Sequence, residues 1–162
     1  MTPKIEAIEE TEERQEIQAL LGELRRTWHQ TIPVSAFMQI APGAYQDKTL
    51  SVSAPLAPNI NLHHTMFAGS IYTLMTLTGW GMVWLQQRLA CVEGDIVLGQ
   101  ADIRYLAPVG ESPEARVSWP ETDLSVLGQG KRAKVKLEVA LYCGEQCCAL
   151  FQGTYVSLPK AD

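Results

Sequence analysis

The chain has 162 residues, 46% hydrophobic and 19% charged, which suits one packed domain and excludes a disordered, collagen-like or coiled-coil chain. Its net charge is −5. Residues 1–16 hold six acids against two bases, a balance of −4, so the body is near neutral and is a poor partner for a nucleic-acid backbone.

In chain order, Ile17, Leu20, Leu21, Leu24 and Trp28 fall at helical spacing and predict a charged helix over residues 11–29, ended by Pro33. Residues 1–32 are therefore read as an acidic helical segment and 33–162 as a single domain. Val34, Ala36, Met38 and Ile40 alternate with Ser35, Phe37 and Gln39 and predict a strand. Ala41-Pro42-Gly43-Ala44 reads as a turn. Leu50, Val52, Ala54 and Leu56 predict a second strand, closed by Pro55 and Pro58.

Residues 57–66 read as a loop feeding a long helix over 67–89. Residues 65–87 carry no formal charge, a length that also suits a bilayer span. Five Ser and Thr residues, three glycines and the amphipathic strands that follow favour the central helix of a water-exposed domain, apolar on most sides because it is surrounded.

The rest reads as β. One strand runs from Ile96 through Ile103 and Tyr105 toward Pro108, and another covers Ala115, Val117 and Trp119. The clearest alternates Ala133, Val135, Leu137, Val139 and Leu141 with charged residues. Gly144-Glu145-Gln146 predicts a hairpin turn, with a return strand over 147–158. An antiparallel sheet bent around one apolar helix fits this order.

Several segments resemble the hotdog-fold thioesterase superfamily. Residues 101–109, Ala-Asp-Ile-Arg-Tyr-Leu-Ala-Pro-Val, resemble the strand that follows its central helix, and the hairpin over 131–155 resembles its paired long strands. Pro58-Asn59-Ile60-Asn61, Thr65-Met66-Phe67-Ala68-Gly69-Ser70 and Thr78-Gly79-Trp80-Gly81 resemble the YiiD C-terminal-domain family of thioesterases, a domain also found fused behind an acetyltransferase. The resemblance spans residues 33–159. It implies an α+β hotdog fold and an acyl-CoA or acyl carrier protein thioester as substrate. It also implies a homodimer or dimer of dimers with sites at the subunit seam.

Thioester hydrolysis needs a polarised carbonyl, an activated water and room for an acyl chain. In this superfamily the start of the central helix polarises the carbonyl through free backbone N–H groups. Gly69 matches the second glycine of the His-Gly-Gly motif of the phenylacetate-pathway-like members, and Ala68 replaces the first. The Gly69 N–H is the expected donor, although a glycine there also lets helix and sheet pack closely. The motif's His falls on Phe67, and its usual acid falls on Thr76. Thr73 and Thr76 can position a water but cannot act as a base at neutral pH.

Asn61 matches the Asn preceding the helix and is expected to place the carbonyl or water. Asn59 joins it in the substrate region with His63, Phe67, Ala68 and Ser70, although both Asn residues also suit turns. His64 is the candidate base. Asp102 reaches a site only across a dimer seam, and otherwise sits in a wet row with Gln100 and Arg104. Lys131, Arg132, Lys134 and Lys136 match coenzyme A phosphates or an acidic carrier protein, or simply a solvated strand face.

Cys91, Cys143, Cys147 and Cys148 lack zinc-ribbon spacing, so no metal is expected. A Cys143–Cys147 disulfide suits the hairpin but not the cytosol, where the absence of an apolar leader places the chain. No cofactor is expected beyond the coenzyme A or phosphopantetheine of the substrate. The missing helix acid supports an alternative, a non-catalytic acyl-thioester-binding module that assists an acyltransferase or a fatty-acid pathway.

Overall fold

A computed structural model describes residues 3–161. Helix α1 covers Pro3–Thr31. Residues 3–16 are exposed, and the predicted stripe takes over from Ile17, with Leu24 and Trp28 fully buried. The second half of α1 is thus part of the core.

The strand expected over residues 34–40 is instead a short helix, α2, Pro33–Phe37. Pro33 sits in its first turn, where a fixed φ and a missing N–H cost nothing. The alternation misled because Ser35, not its apolar neighbours, is buried there, while Phe37 is 80% exposed. Gln39, at φ 58°, reverses the chain.

The turn expected at residues 41–44 is also corrected. These residues open strand β1, Ala41–Gln46, paired to β2, Thr49–Ser53. Pro42 and Gly43 are accommodated because β1 lies at the sheet edge, with a register irregularity between Pro42 and Ala44. Asp47 and Lys48, both at positive φ, close the hairpin.

The loop then leads to α3, Ala68–Leu89, followed by β3, Gly94–Tyr105, and β4, Glu114–Ser118. An unforeseen 3-10 turn spans Ser125–Gln129. Strands β5, Ala133–Cys143, and β6, Gln146–Pro159, complete an antiparallel sheet of order β1-β2-β4-β5-β6-β3. The expected α+β hotdog architecture, a sheet wrapped on one central helix, is what the chain forms. No helix among the described residues is long and apolar enough to cross a membrane.

The inner sheet face presents Val52, Val117, Leu137, Val139 and Phe151 to Leu74, Met75, Met82 and Leu85 of α3, all essentially buried. Two glycines let α3 pack closely, Gly79 against the sheet and Gly81 against α1. A Cβ at Gly79 would collide with the phenol of Tyr155, and one at Gly81 would lie 2.7 Å from the Trp28 ring. The Tyr155 hydroxyl donates to the Thr76 carbonyl at 2.7 Å, and burial holds its acidity far below that of a free tyrosine. The sheet does not enclose α3 completely. Tyr72, Thr73, Thr76 and Trp80 form a half-buried stripe on the helix. The Trp80 indole N–H donates to the Ile96 carbonyl of β3 at 3.3 Å, placing that stripe beside the second edge of the sheet.

Candidate active site

The loop before α3 is built by two asparagines. Asn59 is buried, and its amide donates to the Met38 carbonyl at 2.9 Å and the Pro55 carbonyl at 2.8 Å. Its own carbonyl accepts the Phe67 N–H at 2.8 Å. Asn59 therefore ties the end of α2 to the start of α3, while its side-chain Oδ1 is buried with no partner among the described residues.

Asn61 works by short-range bonds. Its Oδ1 accepts the His63 N–H at 2.9 Å and the Thr65 N–H at 3.2 Å, and its Nδ2 donates to Thr65 Oγ1 at 3.0 Å. This is the local capping habit of Asn in turns. The Met66 N–H then bonds the Val109 carbonyl at 2.8 Å, docking the loop against the chain that leaves β3.

Helix α3 starts at Phe67, which supplies no side-chain cap. The first N–H to find a helical acceptor is that of Ile71, bonded to the Phe67 carbonyl at 3.0 Å. Among the described residues, the N–H groups of Ala68, Gly69 and Ser70 have no acceptor. Such groups carry the positive end of the helix dipole and bind developing negative charge.

Ala68, at the head of this turn, walls a cavity of about 380 Å³ together with Asn61, Met66, Ile71, Tyr105 and Val109 among others, while Gly69 and Ser70 are not in its wall. Its size is that of a small-ligand pocket, and most of its wall is apolar. Among the described residues, no Asp or Glu lines it.

The other expected residues separate by distance from this cavity. Phe67 is 56% exposed, and its ring folds over Gly69, where a Cβ would lie 2.5 Å from the ring edge. Gly69 thus has a packing reason as well as a free N–H. Ser70 is nearly buried. Thr73 Oγ1 donates to the Gly69 carbonyl at 2.9 Å. Thr76 Oγ1 is buried with no partner among the described residues. Neither threonine lines the cavity.

His63 and His64 are exposed on the loop, His64 at φ 61°. Asp102 is exposed on the outer sheet face between Gln100 and Arg104, opposite the half-buried Ala101 and Ile103. Lys134 and Lys136 are likewise outward, because Ala133, Val135 and Leu137 fill the inner face. Cys143 pairs with Gln146 and Cys147 with Tyr142 across the hairpin, and all four cysteines are free.

Sequence reasoning missed Tyr105. Its hydroxyl donates to the Ala68 carbonyl at 3.0 Å, and its ring walls the cavity. Tyr105 is 49% exposed, and its partial desolvation, with Tyr72 nearby, raises its pKa above the ordinary tyrosine value. The signal was available in strand parity, which puts Tyr105 on the inner face with Ala101 and Ile103.

Residues 21–159 match the family described as "putative thioesterase (yiiD_Cterm)". The chain is 69% identical to a putative thioesterase from Shewanella oneidensis of known crystal structure, with a TM-score of 0.87, covering 88% of this chain and 99% of that one. It is 28% identical to a protein of unknown function from Chlorobaculum tepidum, with a TM-score of 0.78, covering 89% of this chain and 97% of that one. A structure from Pseudomonas aeruginosa described as a probable thioesterase shares the fold at 16% identity and a TM-score of 0.71, covering 86% of this chain and 95% of that one. The chain therefore belongs to the YiiD C-terminal-domain thioesterase family of the hotdog fold.

Proposed function

We propose that the protein hydrolyses acyl thioesters of coenzyme A or of an acyl carrier protein, with the acyl chain in the cavity beside the start of α3. One observation carries this reading. Ala68, the first of three residues whose N–H groups are unpartnered, walls a mostly apolar cavity, and Gly69 and Ser70 follow it in the same helical turn. A thioester carbonyl placed against them gains most when water attacks, because its oxygen then becomes an anion. Collapse of the tetrahedral intermediate reforms the carbonyl and expels the thiol.

Among the described residues no carboxylate lines the cavity, so this reading takes its base from outside the cavity wall. His63 and His64 stand within four residues of Asn61 and Thr65 and are the nearest titratable candidates on this loop. A partner subunit is the other source. Strand β3 ends the sheet, and the half-buried stripe of α3 runs beside it. Two copies joined along that edge form the homodimer proposed here, and light scattering at micromolar concentration checks it. A monomer there would defeat a seam-borne site.

The direct test is thiol release across acyl-CoA chain lengths, with a control for the protein's own four cysteines. Saturable release supports the hydrolase. The missing carboxylate favours one second reading, an acyl-thioester-binding module, and tight binding without release would establish it in place of the enzyme.

A further inference from the structure

We infer that Tyr105 is a positioning residue that sharpens the Gly69 N–H as a hydrogen-bond donor through the peptide group it shares with Ala68. The inference rests on the thioesterase reading of this site. It starts from one bond. The Tyr105 hydroxyl reaches from the end of β3 to the Ala68 carbonyl at 3.0 Å, across 37 residues of sequence. That carbonyl belongs to the same peptide unit as the Gly69 N–H. A helical carbonyl at this position already has an acceptor role toward the residue four further on, so the phenol adds a second donor.

The consequence is electronic and geometric. A donor on the carbonyl oxygen draws electron density along the conjugated amide and leaves the N–H more positive, the mechanism by which chained hydrogen bonds strengthen one another. The Gly69 N–H has no acceptor inside the protein among the described residues, so the added polarity is open to a ligand carbonyl that reaches past Ala68, which walls the cavity where Gly69 does not. The same bond fixes the first turn of α3 to the edge strand. That turn has no side-chain cap to hold it. Tyr105 and Ala68 both wall the cavity, and Gly69 is the next residue along the helix.

Tyr105 touches no reacting atom in this scheme. Its effect grows as the carbonyl oxygen gains charge, so it acts on the transition state more than on the bound substrate.

The test replaces Tyr105 with Phe, and separately with 3-fluorotyrosine, whose phenol is a stronger donor. Two readouts are taken on the folded, full chain. The first is the Gly69 amide proton resonance of the ligand-free protein. Tyr105→Phe is expected to move it upfield, and 3-fluorotyrosine downfield. The second is steady-state thiol release. For Tyr105→Phe we expect kcat to fall about 2- to 10-fold with KM held within about twofold, the size of effect that one chained hydrogen bond supplies. The fluorinated ring is expected to raise kcat.

A Gly69 resonance indifferent to both changes overturns the relay. So does a Tyr105→Phe variant whose KM rises while kcat stands still, since the ring then serves only to bind. If the unsubstituted protein releases no thiol from any acyl-CoA, the thioesterase reading fails. The Gly69 resonance still decides the relay independently.

Discussion

The two ends of α3 are treated oppositely by the chain around them. At the C-terminal end side chains and backbone bonds close the helix. Gln87, 4% exposed, donates to Ser157 Oγ at 2.9 Å and accepts the Gly94 N–H at 3.1 Å. The Ala90 and Val92 N–H groups bond the Gln86 and Gln87 carbonyls. Arg88 stacks on Trp84 and meets Glu23 and Glu93. The cavity there, about 190 Å³, is edged by Arg88–Glu93 and Lys160–Asp95 pairs that neutralise one another. At the N-terminal end the helix begins without a cap and leaves donors unspent. Every α-helix leaves its first N–H groups without an intrahelical partner, and at this end of α3 no side chain takes them, which is the feature the proposed site uses.

That contrast is breakable, and the largest effect is expected at the open end. Gly69→Pro removes a donor that holds no bond within the protein, in a turn where Pro is tolerated. Thiol release is expected to fall about 10²- to 10³-fold, as when an oxyanion donor is lost. Gly69→Ala keeps the donor and only displaces the exposed Phe67 ring, so a comparable loss there would assign the position to packing instead.

The closed end predicts the reverse pattern. Gln87→Leu strands Ser157 and the Gly94 N–H, at a cost of about 2–3 kcal/mol read from the urea midpoint at constant slope. Activity per folded molecule is expected to hold. A smaller change sharpens the comparison at the open end. Asn61→Ala loosens residues 61–65 at about 1 kcal/mol, and an accompanying rise in KM would show that the loop shapes the cavity.

The sequence revealed the fold where burial writes a period. Ala133 through Leu141 alternate because one face is core and the other wet, and residues 67–89 are apolar because the sheet surrounds them. It misled where a short segment's pattern had another cause. Residues 34–40 alternate by coincidence, and Pro42-Gly43 read as a turn because an edge strand tolerates residues that a central one does not. Of the residues singled out in the sequence, Asn61 and Ala68 wall the cavity, and they lie on one continuous segment. Tyr105 was not legible, because its bond to Ala68 exists only once β3 has crossed beside α3. Asp102 had the right chemistry, and strand parity turns it outward.

Helix α1 carries a last consequence. At about 1.5 Å per residue it is a rod of roughly 44 Å, anchored at one end only. A detached helix of the length of residues 3–16 is marginal in water because its first turn is costly to start. Here the starting turn is held by Leu21, Leu24 and Trp28, and every residue further out merely extends it. Helical order then spreads outward from the core, so amide exchange with solvent should slow gradually from residue 3 toward Trp28, as along a fraying rope, with no single step where a domain begins.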